Sequence, residues 1–192
     1  MSKRVLVLAG NPKEKSFSNK LAEIYADAAK KSHEVRVLKL SDMDFNPDLF
    51  VGYDDKQDLE KSLEYFQTAL AWSDHFVIIA PIWWGTVPAK LKGLIDRTFL
   101  PGFAFSYESG NSKPIQLLSG KTARIIMTMD TPPWYYRLVQ GAPALKQLAI
   151  STLKFAGFIS VKNTMLGPMI SATEASKIKW ASVIEKLGER AQ

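Results

Sequence analysis

Val5-Leu6-Val7-Leu8-Ala9-Gly10-Asn11-Pro12 is five apolar residues in a row, closed by three residues that favour turns. A strand with one wet face would alternate apolar and polar side chains. An unbroken apolar run suits a strand buried on both faces, as in a parallel sheet. The signature returns in Phe76-Val77-Ile78-Ile79-Ala80, closed by Pro81, and in Ala123-Arg124-Ile125-Ile126-Met127-Thr128. Weaker strand signals lie at Val35, Val37, Leu38 and Leu40, and between Phe158 and Leu166. Between these runs the apolar residues recur at three- and four-residue spacing, the period of a helix with one buried face. They do so over Leu21–Ala29, Leu59–Leu70, Leu91–Phe99, Leu145–Ala156 and Trp180–Leu187.

Strands alternating with helices predict a parallel sheet covered on both faces. Right-handed crossovers leave few topologies. Five strands and five helices fit the doubly wound, flavodoxin-like α/β order 2-1-3-4-5, with ligands bound beyond the carboxyl ends of strands one and three. The loops after Ala9, Ala80 and Met127–Thr128 are therefore the ones to watch. At 192 residues, 46% hydrophobic and 23% charged, the chain suits one globular domain over residues 1–192.

Composition removes several chemistries. Without cysteine there are no disulfides, thiolate metal sites, iron–sulfur clusters or cysteine nucleophiles, and His33 and His75 are too few for a multi-histidine metal site. No metal site is expected. The net charge of +6 is spread from Lys3 to Lys186 with no basic block, so no nucleic-acid partner is expected, and phosphate-bearing small molecules suit the charge better. The apolar start at Val5–Leu8 ends at Asn11-Pro12, too early for a signal peptide, and the uncharged stretch His75–Ala89 is too short to span a membrane. A cytoplasmic protein without an integral membrane segment is expected.

Three motif matches fail. Gly120-Lys121-Thr122 lacks the earlier glycine of a P-loop and precedes a strand instead of following one. Asp42-Met43-Asp44-Phe45-Asn46 opens like a calcium loop, but Pro47 and Tyr53 stand where glycine and glutamate are needed. Gly10-Asn11-Pro12 is not the glycine-rich turn of a dinucleotide fold.

Two segments survive. Asn11 to Asn19 places Ser16, Ser18 and Asn19 where the first helix begins, and free backbone N–H groups with the helix dipole favour an anion there. A terminal phosphate fits; ordinary N-capping would use the same residue types. Pro81-Ile82-Trp83-Trp84-Gly85-Thr86-Val87-Pro88 sets two indoles in a loop stiffened by proline at each end. Such surfaces suit stacking on a planar ring or packing at an interface.

Residues 81–105, PIWWGTVPAKLKGLIDRTFLPGFAF, together with Asn11 through Asn19, closely resemble the signature of the NAD(P)H:quinone reductase (DT-diaphorase) family. That family includes bacterial modulators of drug activity and ancillary flavoproteins of potassium-efflux systems. The resemblance implies a flavodoxin-like fold, a bound flavin and a homodimer that completes the active sites. It implies that Ser16, Phe17, Ser18 and Asn19 hold the flavin phosphate, with Asn11 also among the cofactor-binding residues. Pro81, Ile82, Trp83, Trp84 and Gly85 would line the isoalloxazine ring. FMN is the expected flavin, given the short chain, with FAD the alternative and NAD(P)H the co-substrate. After the fourth main strand the family carries a Thr-Thr-Gly-Gly turn, then a tyrosine and often a histidine. Here Thr128 fits, Met129 and Asp130 stand in place of the glycines, Tyr135 falls at the tyrosine (with Tyr136 beside it), and Gly141 replaces the histidine. Thr128, Met129 and Asp130 are the expected contacts with the flavin edge, with backbone capping the alternative role for Asp130, and Tyr135 is the expected catalytic hydroxyl.

The resulting expectation is an oxidoreductase that takes hydride from NAD(P)H through flavin N5 to a quinone or similar small aromatic acceptor. The cofactor supplies the redox chemistry that the side chains lack. Alternatives are a flavin-binding regulatory subunit or a flavodoxin-type electron carrier, the latter family being acidic where this chain is basic. Phe103, Phe105 and Tyr107, in the stretch from Pro101 to Lys121, are expected either to cap a substrate pocket or to form a small hairpin that packs down.

Overall fold

The computed structural model describes residues 2–108 and 110–191. In chain order its elements are β1 (Arg4–Ala9), α1 (Phe17–Lys30), β2 (Glu34–Lys39), α2 (Lys61–Trp72), β3 (His75–Pro81) and α3 (Ala89–Thr98). There follow β4 (Phe105–Ser106), β5 (Ile115–Gln116), β6 (Thr122–Thr128), α4 (Pro133–Leu138), α5 (Pro143–Lys146), β7 (Ser160–Leu166) and α6 (Glu174–Glu189). Five strands form a parallel sheet in the order β2-β1-β3-β6-β7, and β4 pairs with β5 in a separate antiparallel ladder. The main sheet thus follows the 2-1-3-4-5 pattern once that ladder, which takes two numbers in the chain, is set aside.

Alternation of side chains across each strand divides the core. Val5, Val7, Ala9, Val77, Ile79 and Ile126 face α1 and α6, where they meet Leu21, Tyr25 and Ile184. Leu6, Leu8, Phe76, Ile78, Ile125 and Met127 face the other way, onto Leu63, Phe66, Leu91, Leu94 and Leu148. All seven residues of β3 are buried, which is why its sequence shows no polar alternation. The edge strands β2 and β7 are half exposed and carry Arg36, Lys39, Lys162 and Asn163, whose polarity discourages pairing with another sheet.

Two helices differ from expectation. The period over Leu145–Ala156 predicts one α-helix; after one turn of α5 the chain widens into a π-helix over Gln147–Lys154. Thr152 Oγ1 donates to the Gln147 carbonyl five residues back, at 3.0 Å, inside the wider turn. The short helix α4 has no apolar period long enough to announce it, and it begins because Pro133 presets the backbone angle of a first helical turn. The stretch 101–121 resolves as the packed hairpin. Leu118 is buried, its N–H donates to the Ala156 carbonyl at 3.0 Å, and the Gln116 amide donates to the Lys154 carbonyl at 2.9 Å.

His75 is buried at the start of β3, its Nδ1 2.7 Å from Thr122 Oγ1 and its Nε2 without a partner among the described residues. Burial first, then the cationic Lys3 and Arg124, lowers its pKa from 6.5 to about 3. Between those two values the unfolded chain takes up a proton that the folded chain refuses. The contribution of neutral His75 is therefore complete above about pH 6.5 and declines as pH falls toward 3. Urea unfolding at pH 7 and pH 4.5 is expected to show the wild type losing about 2–3 kcal/mol more than His75→Gln over that interval. Parallel acid limbs in the two proteins would refute the assignment.

Candidate functional site

The loops that follow β1, β3 and β6 leave the same edge of the sheet, since Ala9 pairs with Ile79 and Pro81 with Thr128. The first loop is braced by two buried asparagines. Asn11 Nδ2 donates to Ser18 Oγ at 3.0 Å, and Asn11 Oδ1 accepts from the Lys13 N–H at 2.9 Å. Asn19 Nδ2 donates to the carbonyls of Lys13 and Glu14, both at 3.1 Å, while its Oδ1 is buried with no partner among the described residues. Ser16 caps α1 by accepting from the Asn19 N–H at 3.2 Å, and its hydroxyl lies 3.2 Å from that of Ser18. Phe17 turns toward Trp180, ring centroids 6.3 Å apart. The first N–H groups of α1 have no intrahelical acceptor. The loop therefore presents helix N–H groups and the Ser16 hydroxyl, while Asn11, Ser18 and Asn19 are turned inward as its scaffold. A groove of about 770 Å³ beside it is lined by Lys15, Lys20, Lys39 and Lys177 and by Glu14, Glu23 and Glu174. Glu23 pairs with Lys39 and Glu174 with Lys177, whereas Lys15 and Lys20 have no ion pair among the described residues.

The second loop is a tight hairpin. Trp83 and Thr86 exchange backbone hydrogen bonds at 2.8 and 3.0 Å, and Trp84 and Gly85 both have positive φ, +50° and +79°. That is the backbone of a type I′ turn, which asparagine and glycine fill without strain and a bulky residue fills only at a cost. Trp84 is nonetheless completely exposed and Trp83 is 44% exposed. Three anchors hold the turn. Ile82 N–H donates to the Thr128 carbonyl at 2.8 Å, Val87 and Pro88 are buried, and the buried Tyr136 hydroxyl donates to the Gly85 carbonyl at 3.0 Å. The same hydroxyl accepts from the Ala144 N–H at 3.0 Å, so one tyrosine ties the tryptophan turn to α5. Burial pushes the Tyr136 hydroxyl above its ordinary pKa, which keeps it a donor.

The third loop completes a cleft of about 670 Å³ whose lining includes Ile82, Trp83, Trp84, Gly85, Met129 and Asp130. Pro81 is buried at the end of β3, and Thr128 is buried with its carbonyl given to Ile82. Met129 is buried too; its N–H donates to the Leu166 carbonyl and its carbonyl accepts from the Met169 N–H, so it forms floor. Asp130 is exposed. Tyr135 does not line the cleft and stands edge-on to Trp134, centroids 5.7 Å apart. Tyr136, the neighbouring alternative, is committed to its brace. Thr131 and Gln140 also line the cleft, and neither lies in a periodic segment or a recognisable motif that would mark it in the sequence. Phe105 and Tyr107 do not cap this cleft in their own chain. The hairpin carries them to a different cavity, of about 570 Å³, whose walls include Phe99, Phe155 and the π-helix. Among the described residues no cluster of His, Asp or Glu could hold a metal ion.

Residues 3–187 match the model of a family described by its flavodoxin-like fold. A mouse protein named ribosyldihydronicotinamide dehydrogenase (quinone) is 28% identical over 96% of this chain and 90% of its own length. A Clostridium beijerinckii protein named FMN-dependent NADH:quinone oxidoreductase is 30% identical over 62% of this chain and 65% of its own. Among solved structures, Smu.1420 from Streptococcus mutans has a TM-score of 0.81 at 27% identity, covering 97% of this chain and 99% of that one.

Proposed function

The chain belongs to the family with the flavodoxin-like fold, and from that premise we propose that it is a flavin-dependent NAD(P)H oxidoreductase acting on quinones or similar aromatic acceptors. The observation that carries the proposal is the exposed Trp83–Trp84 turn, held in a strained backbone at the rim of a cleft beside the loop after β6. A planar ring stacked there gains contact area that water cannot supply, which accounts for two indoles left in solvent. The residues fit a flavin. The capped start of α1 and the Ser16 hydroxyl suit its phosphate, which takes N–H and O–H donors at the start of a helix. Bound there, the flavin supplies the two-electron chemistry that no side chain of this protein can perform.

FMN is the form we favour, with FAD the alternative, and NAD(P)H is the co-substrate. Within the chain, Ser16 and the α1 backbone orient the phosphate, assisted by the asparagine scaffold. Trp83, Trp84 and Ile82 exclude water from one face of the cleft, and Tyr135, on α4 outside the lining of the cleft, remains the proposed catalytic hydroxyl. A cytoplasmic, single-domain homodimer is part of the same proposal. Phe105 and Tyr107 lie away from their own chain's cleft, so a role for them above the flavin requires a second copy. No helix of the described residues is long and apolar enough to cross a membrane.

The test is a visible absorption spectrum of protein reconstituted with FMN or FAD, before and after anaerobic NAD(P)H. A bound flavin that bleaches and recovers on adding quinone is the expected result. A flavin that binds but stays oxidised would replace the proposal with a carrier or regulatory role, and no binding would overturn it.

A further inference from the structure

Asp130 is the one charged side chain among the described residues that line the Trp83–Trp84 cleft. It is exposed, and no Lys, Arg or His nitrogen of the described residues lies within ion-pair distance of its carboxylate. Sharing the cleft with it are two exposed indoles, whose electron-rich faces attract cations. An unpaired carboxylate beside bare aromatic faces does little for a neutral ring, favours a cationic one, and repels an anionic one. The arrangement runs against the charge of the protein as a whole, which is +6. The unpaired Lys15 and Lys20 lie instead beside the serine loop. Anionic phosphate groups and a cationic ring would thus be sorted to opposite ends of the site.

We propose that Asp130 makes this cleft selective for planar aromatic rings that carry, or acquire in the reaction, a positive charge. The proposal rests on the flavin-dependent function above and specifies which ligands the cleft prefers. A dihydronicotinamide ring is neutral. When its C4–H bond breaks and the hydride leaves with both electrons for the flavin, the ring becomes a pyridinium cation. Charge that develops beside the Asp130 carboxylate is stabilised more in the transition state than in the ground state. Asp130 therefore favours oxidation of the nicotinamide as well as retention of cationic rings, and it disfavours sulfonated or carboxylated acceptors.

The experiment uses FMN-loaded protein, with loading read first from its visible spectrum. Tryptophan fluorescence then follows titration with 1-methylnicotinamide, a planar cation, and with nicotinamide, its neutral counterpart, at low and high salt. The wild type is expected to bind the cation about three- to tenfold more tightly, with the preference narrowing as salt rises. Asp130→Asn is expected to abolish the preference while leaving the nicotinamide Kd unchanged, and Asp130→Glu to keep it. Equal affinities in the wild type, a preference that survives Asp130→Asn, or an equal loss of both ligands in that variant would each overturn the proposal. Protein that takes up no flavin overturns the function and this inference together. Loaded protein without a charge preference overturns this inference alone.

Discussion

Replacing Trp83 and Trp84 together with alanine is expected to lower kcat/KM for NAD(P)H oxidation by about 100-fold and to weaken flavin binding by about tenfold or more. Stacking of a planar ring on an aromatic side chain is worth about 1–3 kcal/mol when measured by alanine substitution. The fold should be indifferent to the change, because both indoles are exposed and surface substitutions usually fall within about 0.5 kcal/mol. A second variant separates function from stability. Trp84→Asn gives the type I′ turn the Asn-Gly pair it prefers and relieves a bulky residue at a φ of +50°. It is expected to raise Tm by about 2 °C, corresponding to roughly 0.5–1 kcal/mol, while activity falls. Circular dichroism, thermal unfolding and steady-state kinetics on the two variants check this. Wild-type kcat/KM in the double variant, or a destabilised Trp84→Asn, would show that the turn is not held for ligand stacking.

The largest effect on stability is expected at Arg97, whose side chain is 1% exposed. Its Nη1 donates to the Asn46 carbonyl at 2.5 Å, and its Nη2 donates to the Asp58 carbonyl at 2.7 Å and to Glu60 Oε2 at 2.9 Å. Burial alone would raise the Glu60 pKa. Backbone N–H donors, among them that of Asn46, together with the Arg97 guanidinium outweigh it and hold the carboxyl below its usual value. One guanidinium thus pins both ends of the long loop between β2 and α2 onto α3. Gly93, one turn earlier on α3, lets the loop lie close, since a Cβ there would strike Pro47. Arg97→Met leaves two carbonyls and a carboxylate without their donor, and it is expected to cost about 3–5 kcal/mol, or roughly 10 °C in Tm. Arg97→Lys should recover only part of this, because an ammonium cannot span the same acceptors in a plane. Urea unfolding measures the loss, and a change below about 1 kcal/mol would contradict the account.

Much of this molecule is legible in its sequence, and for a local reason. The runs at Val5, Phe76 and Ala123 are written by burial on both faces of a sheet, and the helical periods by burial of one stripe. Both follow from where consecutive side chains point, which the backbone fixes within a few residues. The same locality made the serine loop and the tryptophan loop conspicuous, because each departs from the pattern around it. The strand–helix alternation, the switch point and the loops where a ligand belongs all follow from such local patterns.

The rest depends on residues that folding brings together from distant parts of the chain. Tyr136 and Gly85 are 51 positions apart, so nothing in the sequence separates the bracing Tyr136 from Tyr135 beside it. Asp130 lines the same cleft as the indoles because β6 lies next to β3 in register, with Thr128 opposite Pro81. Asn11 and Asn19 read equally well as ligands or as scaffold until the fold turns their amides onto the loop's own carbonyls. The hairpin carries Phe105 and Tyr107 to a cavity other than the one at Trp83 because its docking surface is the π-helical wall, which the apolar period does not distinguish from an α-helix. Periodicity states which side of an element is buried; register and packing alone state against what.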